Sequence, residues 1–192
     1  DPATLVDDAT RAEWRACFSK PIAGGPTTRG FDEYFGVDVP NWPPYTWIEN
    51  DRVLEVPTEY LPADKLWPNN AGHAATAGFG RDRPGSDLAS LPGPAVPDWT
   101  FEPLLPRLGD KACEYVKDRA ATGAPFFLYM PLTSPHTPIA VNDEWKGKSG
   151  LNKYADFVME TDAVVGRVLD ALEEAGVAEN TLVMFASDNG CA

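Results

Sequence analysis

The 192-residue sequence is short of cysteine, histidine and positive charge, and each shortage removes a class of function. Its three cysteines, Cys17, Cys113 and Cys191, are odd in number and widely scattered. They form neither a disulfide framework nor a metal-ligand spacing. Sixteen Lys and Arg stand against 29 Asp and Glu, a formal charge of −13. Nucleic acid is therefore not an expected partner, since its binders need a basic footprint. The same charge argues against long-range steering of anionic substrates. An anion must be captured locally, by a metal or by a few placed cations. The longest apolar run, Pro125–Pro131, is far too short to cross a bilayer, so no transmembrane segment is expected. No signal peptide or initiator Met opens the chain, which leaves its compartment open. What is present is 43% hydrophobic and 11% aromatic residues, enough for a buried core and one domain spanning 1–192.

The chain divides near residue 100. Residues 1–100 are rich in turn signals: Pro43-Pro44, Pro68-Asn-Asn70 and Pro92-Gly-Pro94. They also hold all but one of the six tryptophans, which argues for an ordered, loop-rich segment. Residues 101–192 are regular. Leu108, Ala112, Tyr115, Val116 and Arg119 recur at helical spacing and predict a helix over 103–120, capped by Thr100 or Asp98 and stopped by Gly123. Pro125–Pro131 reads as a buried strand. A second helix is predicted over 152–175. Its apolar stripe is Tyr154, Phe157, Val158, Val165, Val168, Leu169 and Leu172. Asp156, Glu160, Arg167, Asp170 and Glu174 face water, and Gly176 ends the helix. Residues 181–186 read as another buried strand. Helix, strand, helix, strand with a helical crossover implies an α/β domain with parallel strands.

In such sheets ligands bind beyond the carboxyl ends of strands. Two polar motifs fall there, Thr133–Pro138 and Ser187–Gly190, on one edge if the strands are parallel. Asp188-Asn189-Gly190 is either a tight turn or a pair of adjacent oxygen donors for a hard cation. A carboxylate beside an amide suits Ca²⁺, or Mg²⁺, better than Zn²⁺. Two ligands do not complete a site. His136 is either a loop residue or an imidazole that hydrogen-bonds an ester oxygen and helps protonate a departing alkoxide.

Four stretches carry a resemblance: Gly30–Gly36, Pro125–Pro138, Tyr154–Asp170 and Asn180–Gly190. In this order and spacing they resemble the sulfatase family of the alkaline-phosphatase-like superfamily. Ser19–Thr28 and Asn41–Tyr45 give the likeness a bacterial arylsulfatase flavour. The resemblance implies an α/β fold with a mostly parallel sheet flanked by helices, of which this chain is an internal piece. It implies that Asp188 and Asn189 are late metal ligands, usually for Ca²⁺, and that His136 contacts the sulfate ester near its leaving oxygen. It implies a formylglycine nucleophile, made from the first residue of a Cys/Ser-x-Pro/Ala-x-Arg motif. No cysteine here has that context. The early aspartate pair and a Lys-x-His motif are absent as well, and a further lysine would lie past Ala192. Asp7-Asp8 is read as a solvated acidic turn, not as that pair. The implied partners are sulfated small molecules or sulfated glycans, and the implied location is periplasmic or extracellular.

Weaker candidates surround these. Trp42 and Tyr45 either stack on a substrate ring or anchor a packed loop. Lys146 and Lys148 either reach a sulfate or stay solvated. His73 is a candidate glycan contact. Two rival functions remain: a phosphodiesterase or phosphonate hydrolase of the same superfamily, and a non-catalytic glycan-binding protein.

Overall fold

The computed structural model describes residues 6–62 and 90–189, which fall into two compact units. The first takes its described residues from 6–62, 90–101 and 136–140, the second from 102–135 and 141–189.

The first unit opens with α1, Asp8–Phe18. Asp7 is its N-cap: the carboxylate accepts the Thr10 N–H at 2.7 Å. That bond, aided by the Thr10 hydroxyl, holds the Asp7 carboxyl below the usual range. The pair Asp7-Asp8 is therefore a helix start rather than an acidic turn. Three two-residue strands form an antiparallel sheet in chain order: β1 Phe35–Gly36, β2 Ile48–Glu49 and β3 Arg52–Val53. Asn50, at φ 56°, makes the β2–β3 turn, a conformation asparagine tolerates. β4 Glu59–Leu61 pairs antiparallel with β5 Gly93–Ala95. The unit's aromatic centre is Tyr45, packed with Ala95, Leu61, Trp99 and Phe101. Gly93 has to be glycine, because a Cβ there would lie 2.5 Å from Pro43 Cγ.

The second unit is built on two packed helices, α2 Leu104–Thr122 and α3 Lys153–Glu174. Both lie where their periodicity predicts. Gly123 (φ 67°) terminates α2. Gly176 (φ 68°) ends α3 in a Schellman motif, with Gly176 N–H on Glu173 O at 2.9 Å and Val177 N–H on Leu172 O at 3.0 Å. The α2 start differs from expectation. Pro103, not Thr100 or Asp98, is the capping residue and makes no side-chain bond. Val116, Ala171 and Leu172 form the core between the helices, with Phe126, Leu128 and Val168 against them.

Two expectations need correction. Asp156 and Glu160 do not face water; they are 3% and 2% exposed. They continue the buried row Phe157, Thr161, Val164, Ala171 at helical spacing, because residues 142–149 donate hydrogen bonds to them. The expected strands at 125–131 and 181–186 join none of the ladders among the described residues, where all named strands pair antiparallel. Phe126 and Leu128 pack on the helices, while Phe127 and Tyr129 are 69% and 65% exposed. Leu182, Met184 and Phe185 are about as open, at 83%, 80% and 78%. A run that is apolar on both faces encodes a strand covered on both sides. The described residues cover one side of 125–131.

Candidate functional site

The loop that carries His136 follows the apolar run 125–131. In the second unit, Thr161 Oγ1 is hydrogen-bonded to Ser134 Oγ at 2.8 Å and to the Phe157 carbonyl at 2.7 Å. A carbonyl only accepts, so the Thr161 proton goes to Phe157 and the Ser134 hydroxyl supplies the other proton. Past the loop, Asn142 N–H donates to Glu160 Oε2 at 3.1 Å, and Asn142 Nδ2 donates to Glu160 Oε1 at 2.5 Å. The same Nδ2 reaches Glu102 O at 2.8 Å. Burial pushes the Glu160 carboxyl above its usual range, and the Asn142 bonds pull partly back. One turn earlier, Asp156 accepts the amides of Gly147 (2.8 Å) and Ser149 (2.9 Å). Ser149, by side chain and backbone, then Gly147, hold the Asp156 carboxyl low. This carboxylate is covered by its own loop rather than by the interior, so hydrogen bonding outweighs desolvation.

His136 itself is exposed and belongs to the first unit. Its Nδ1 lies 2.7 Å from the Thr137 carbonyl oxygen. Since that oxygen can only accept, Nδ1 carries the proton in the neutral ring and Nε2 keeps its lone pair. Such a ring accepts a proton at Nε2 and then donates it to an oxygen.

Asp188 and Asn189 belong to the second unit and are both exposed. The Ser187 hydroxyl donates to the Asn189 carbonyl and shapes the turn. A carboxylate and an amide oxygen fit a hard cation. Among the described residues no group of three or more His, Cys, Asp or Glu is placed to hold a metal. Two such donors are fewer than a hard cation takes.

The weaker candidates separate clearly. Tyr45 is 1% exposed, so it is the packed anchor and not a ring platform. Its hydroxyl lies 2.5 Å from Leu91 O and 3.1 Å from Asn41 O, and burial drives its pKa far up. Trp42, in contrast, is 56% exposed. Lys146 is paired with Asp143 at 2.5 Å. Lys148 lies over the Trp145 ring, 4.2 Å from its centroid, a cation–π contact that leaves the ammonium in solvent. His73 lies outside the described residues, as do Gly190 and Cys191. Sequence reasoning does not find Asp156, Glu160 and Thr161 as the partners of Gly147, Ser149, Asn142 and Ser134. Their signal was a row of polar residues in register with Phe157 and Val164.

Comparison with known proteins gives one family and several relatives. The family model described as Sulfatase matches residues 23–192. The chain is 37% identical over 82 residues to rat (Rattus norvegicus) N-acetylgalactosamine-6-sulfatase, covering 43% of the chain and 16% of that protein. It is 38% identical over 115 residues to a sulfatase of Formosa agariphila, covering 50% of the chain and 21% of that protein. The chain thus spans a small part of the length of these curated relatives. A solved structure from work on glycosaminoglycan metabolism by Bacteroides thetaiotaomicron aligns with TM-score 0.67 at 20% identity, over 85% of the chain and 37% of that structure's chain. At that identity the likeness concerns the fold.

Proposed function

The chain belongs to the sulfatase family, and from this we propose that it is part of an enzyme that hydrolyses sulfate monoesters. The observation that carries the reading is the family match over residues 23–192, which contains His136, Asp188 and Asn189. We propose further that the fold is alkaline-phosphatase-like. The exposed apolar faces of 125–131 and 181–186 support segments made to enter a larger, mostly parallel sheet.

Each residue has a chemical task in this reading. His136 binds the ester beside its leaving oxygen. Its Nδ1–H is engaged by Thr137, so Nε2 is the nitrogen that meets substrate. Protonated there, it hydrogen-bonds the ester oxygen and delivers a proton as alkoxide character develops. Asp188 and Asn189 would hold Ca²⁺, with Mg²⁺ second. Calcium takes about six to eight oxygen ligands, so these two contribute to a larger set. Bound there, the cation would supply positive charge to the sulfate oxygens. A formylglycine would supply the nucleophile. No cysteine or serine in these 192 residues begins a Cys/Ser-x-Pro/Ala-x-Arg motif, so turnover is assigned to the full-length protein and not to this stretch alone.

The substrate class we infer is a sulfated sugar. The rat relative is a sulfatase of N-acetylgalactosamine 6-sulfate by name, and Trp42 offers an exposed ring face for stacking on a pyranose. Lys148 is a weaker candidate for a sulfate contact, since it is engaged with Trp145. Family habit supports export to the periplasm or the cell exterior. Adjacent Asp-Asn, rather than Asp-His, weighs against a two-zinc phosphodiesterase.

The test is steady-state turnover by the full-length protein on matched 4-nitrophenyl sulfate, 4-nitrophenyl phosphate and bis(4-nitrophenyl) phosphate. The expected result is release of inorganic sulfate with kcat/KM at least about 100-fold above that for either phosphate ester. Preference for a phosphate ester would move the protein to another branch of the superfamily. Sugar binding without any turnover would make it a glycan-binding protein.

A further inference from the structure

Trp42 is the exposed residue of a segment that is otherwise tied down, and the ties lie inside the first unit. Val39-Pro40-Asn41-Trp42 is a turn, closed by the Trp42 N–H on Val39 O at 3.3 Å. Proline stands at its second position, where a fixed φ suits a turn. On one side of Trp42, the Asn41 carbonyl accepts the Leu91 N–H at 2.9 Å. On the other side, the Pro43 ring is packed so closely on Gly93 that a Cβ there would lie 2.5 Å from Pro43 Cγ. The Tyr45 hydroxyl joins the same two strands of chain. It donates to Leu91 O at 2.5 Å, 46 positions away in sequence, and lies 3.1 Å from Asn41 O. The Tyr45 backbone is fixed in turn, with its N–H on Pro94 O at 2.8 Å and its carbonyl accepting the Val96 N–H at 3.0 Å.

We propose that Tyr45 is a positioning residue for Trp42, and that the indole it holds in place is a subsite for the neutral ring of a sugar rather than for its sulfate. The hydroxyl is what sets Tyr45 apart from a core residue. Its ring is buried with Leu61, Ala95, Trp99 and Phe101, a packing role that phenylalanine would fill without burying an oxygen. What the hydroxyl adds is its hold on the Leu91 and Asn41 carbonyls, on either side of the tie next to Trp42. A turn held in this way has little freedom left to lose, so contact with the indole goes into affinity rather than into ordering the chain. An indole face takes up the C–H face of a pyranose. Asp38, exposed beside Val39 of the turn, places negative charge close by, which repels a sulfate and leaves an uncharged ring unaffected. The choice of a sugar rests on the sulfatase reading; the tie between Tyr45 and Trp42 does not.

The experiment separates the two. Full-length protein labelled with 5-fluorotryptophan gives one ¹⁹F resonance per tryptophan, and Trp42→Phe identifies that of Trp42 by its loss. The probe is N-acetylgalactosamine, with sodium sulfate at the same concentration as control. In the wild type the sugar is expected to shift the Trp42 resonance and sulfate to leave it in place; a shift with sulfate alone would overturn the neutral subsite. Tyr45→Phe keeps the buried ring and removes only the hydroxyl. In that variant the Trp42 resonance is expected to move toward that of free 5-fluorotryptophan, and the sugar Kd to rise about fivefold, the factor that one hydrogen bond is worth. A resonance and Kd unchanged in Tyr45→Phe would overturn the positioning, since a purely packing role predicts that result. If Tyr45→Phe does not unfold cooperatively, hydrogen exchange of the wild-type Leu91 amide is read instead: protection supports the tie, and exchange at the free-chain rate overturns it. Hydrolysis of 4-nitrophenyl sulfate with no sugar shift at Trp42 would overturn the subsite and leave the sulfatase reading standing. A sugar shift at Trp42 without hydrolysis of any sulfate ester would support the subsite and overturn the sulfatase reading.

Discussion

Asp156 shows how a charged residue becomes structural. Its sequence position, in the first turns of an amphipathic helix, marks it as solvent-facing. It is 3% exposed because the Gly147 and Ser149 amides use it as their acceptor. Nothing in a 3.6-residue period tells which polar residue a distant loop will cover, so this was not legible. Tyr45 was half legible: an aromatic next to two prolines reads equally as anchor or platform, and only its burial decides. Asp156→Ala leaves two amides without an acceptor and should cost about 1–2 kcal/mol at neutral pH, toward the lower end because the loop lies near solvent. The pH dependence has a definite sign. The folded pKa of Asp156 is lowered, so its contribution is full above the ordinary carboxylate value of 3.8 and is lost as pH falls through the folded pKa. Glu160 runs the other way. Its folded pKa is raised above 4.5, so its contribution is present in acid and is lost as pH rises through the folded value. Urea unfolding of wild type and Asp156→Ala should therefore show a gap at pH 7 that closes in strong acid. A gap independent of pH would mean that the carboxylate charge plays no part.

At the scale of elements, the two long helices were legible because each carries its own boundaries. Gly123 and Gly176 adopt positive φ at the ends the sequence marks, and Asn152 caps α3 by accepting the Ala155 N–H at 2.9 Å. The helix α1 is not legible: Asp7-Asp8 reads as a turn, and an eleven-residue helix with no buried residue leaves no apolar stripe. The strands expected at 125–131 and 181–186 have the right composition, yet a strand exists only through its neighbours, and none is supplied among the described residues. Helix contact makes its own prediction. A Cβ on Gly109 of α2 would lie 2.7 Å from Val164 Cγ1 and 2.5 Å from an Arg167 guanidinium nitrogen on α3. The Arg167 end is tied to Asp110 at 2.6 Å and to Pro106 O at 3.1 Å, and Val164 is buried. Alanine would gain about 1 kcal/mol of helix propensity. Overpacking costs about 1–3 kcal/mol, so the crowding wins. Gly109→Ala should lower Tm in a thermal melt; a higher Tm would show that the helices separate easily at this point.

For the whole molecule, the charge of −13 and the proposed anionic substrate pull in opposite directions. A chain this acidic adds no long-range attraction for a sulfated sugar, so any recognition it contributes is local. The exposed groups that could serve this in the proposed function are few: the imidazole at 136, the oxygens at 188 and 189, and the ring of Trp42. The two polar motifs were legible because each follows an apolar run. The support of Ser134 was not, because it comes from Thr161, a buried polar residue inside a helix stripe. The residues assigned to catalysis and to the metal lie far apart in the chain, and the reading requires them to serve a single reaction. The most direct test is a double-mutant cycle on the full-length protein with 4-nitrophenyl sulfate, using His136→Ala, Asp188→Ala and the pair. Each single variant is expected to lose about 100-fold or more in kcat/KM, and the pair to be little slower than the worse single. Either single variant turning over at the wild-type rate would contradict the assignment.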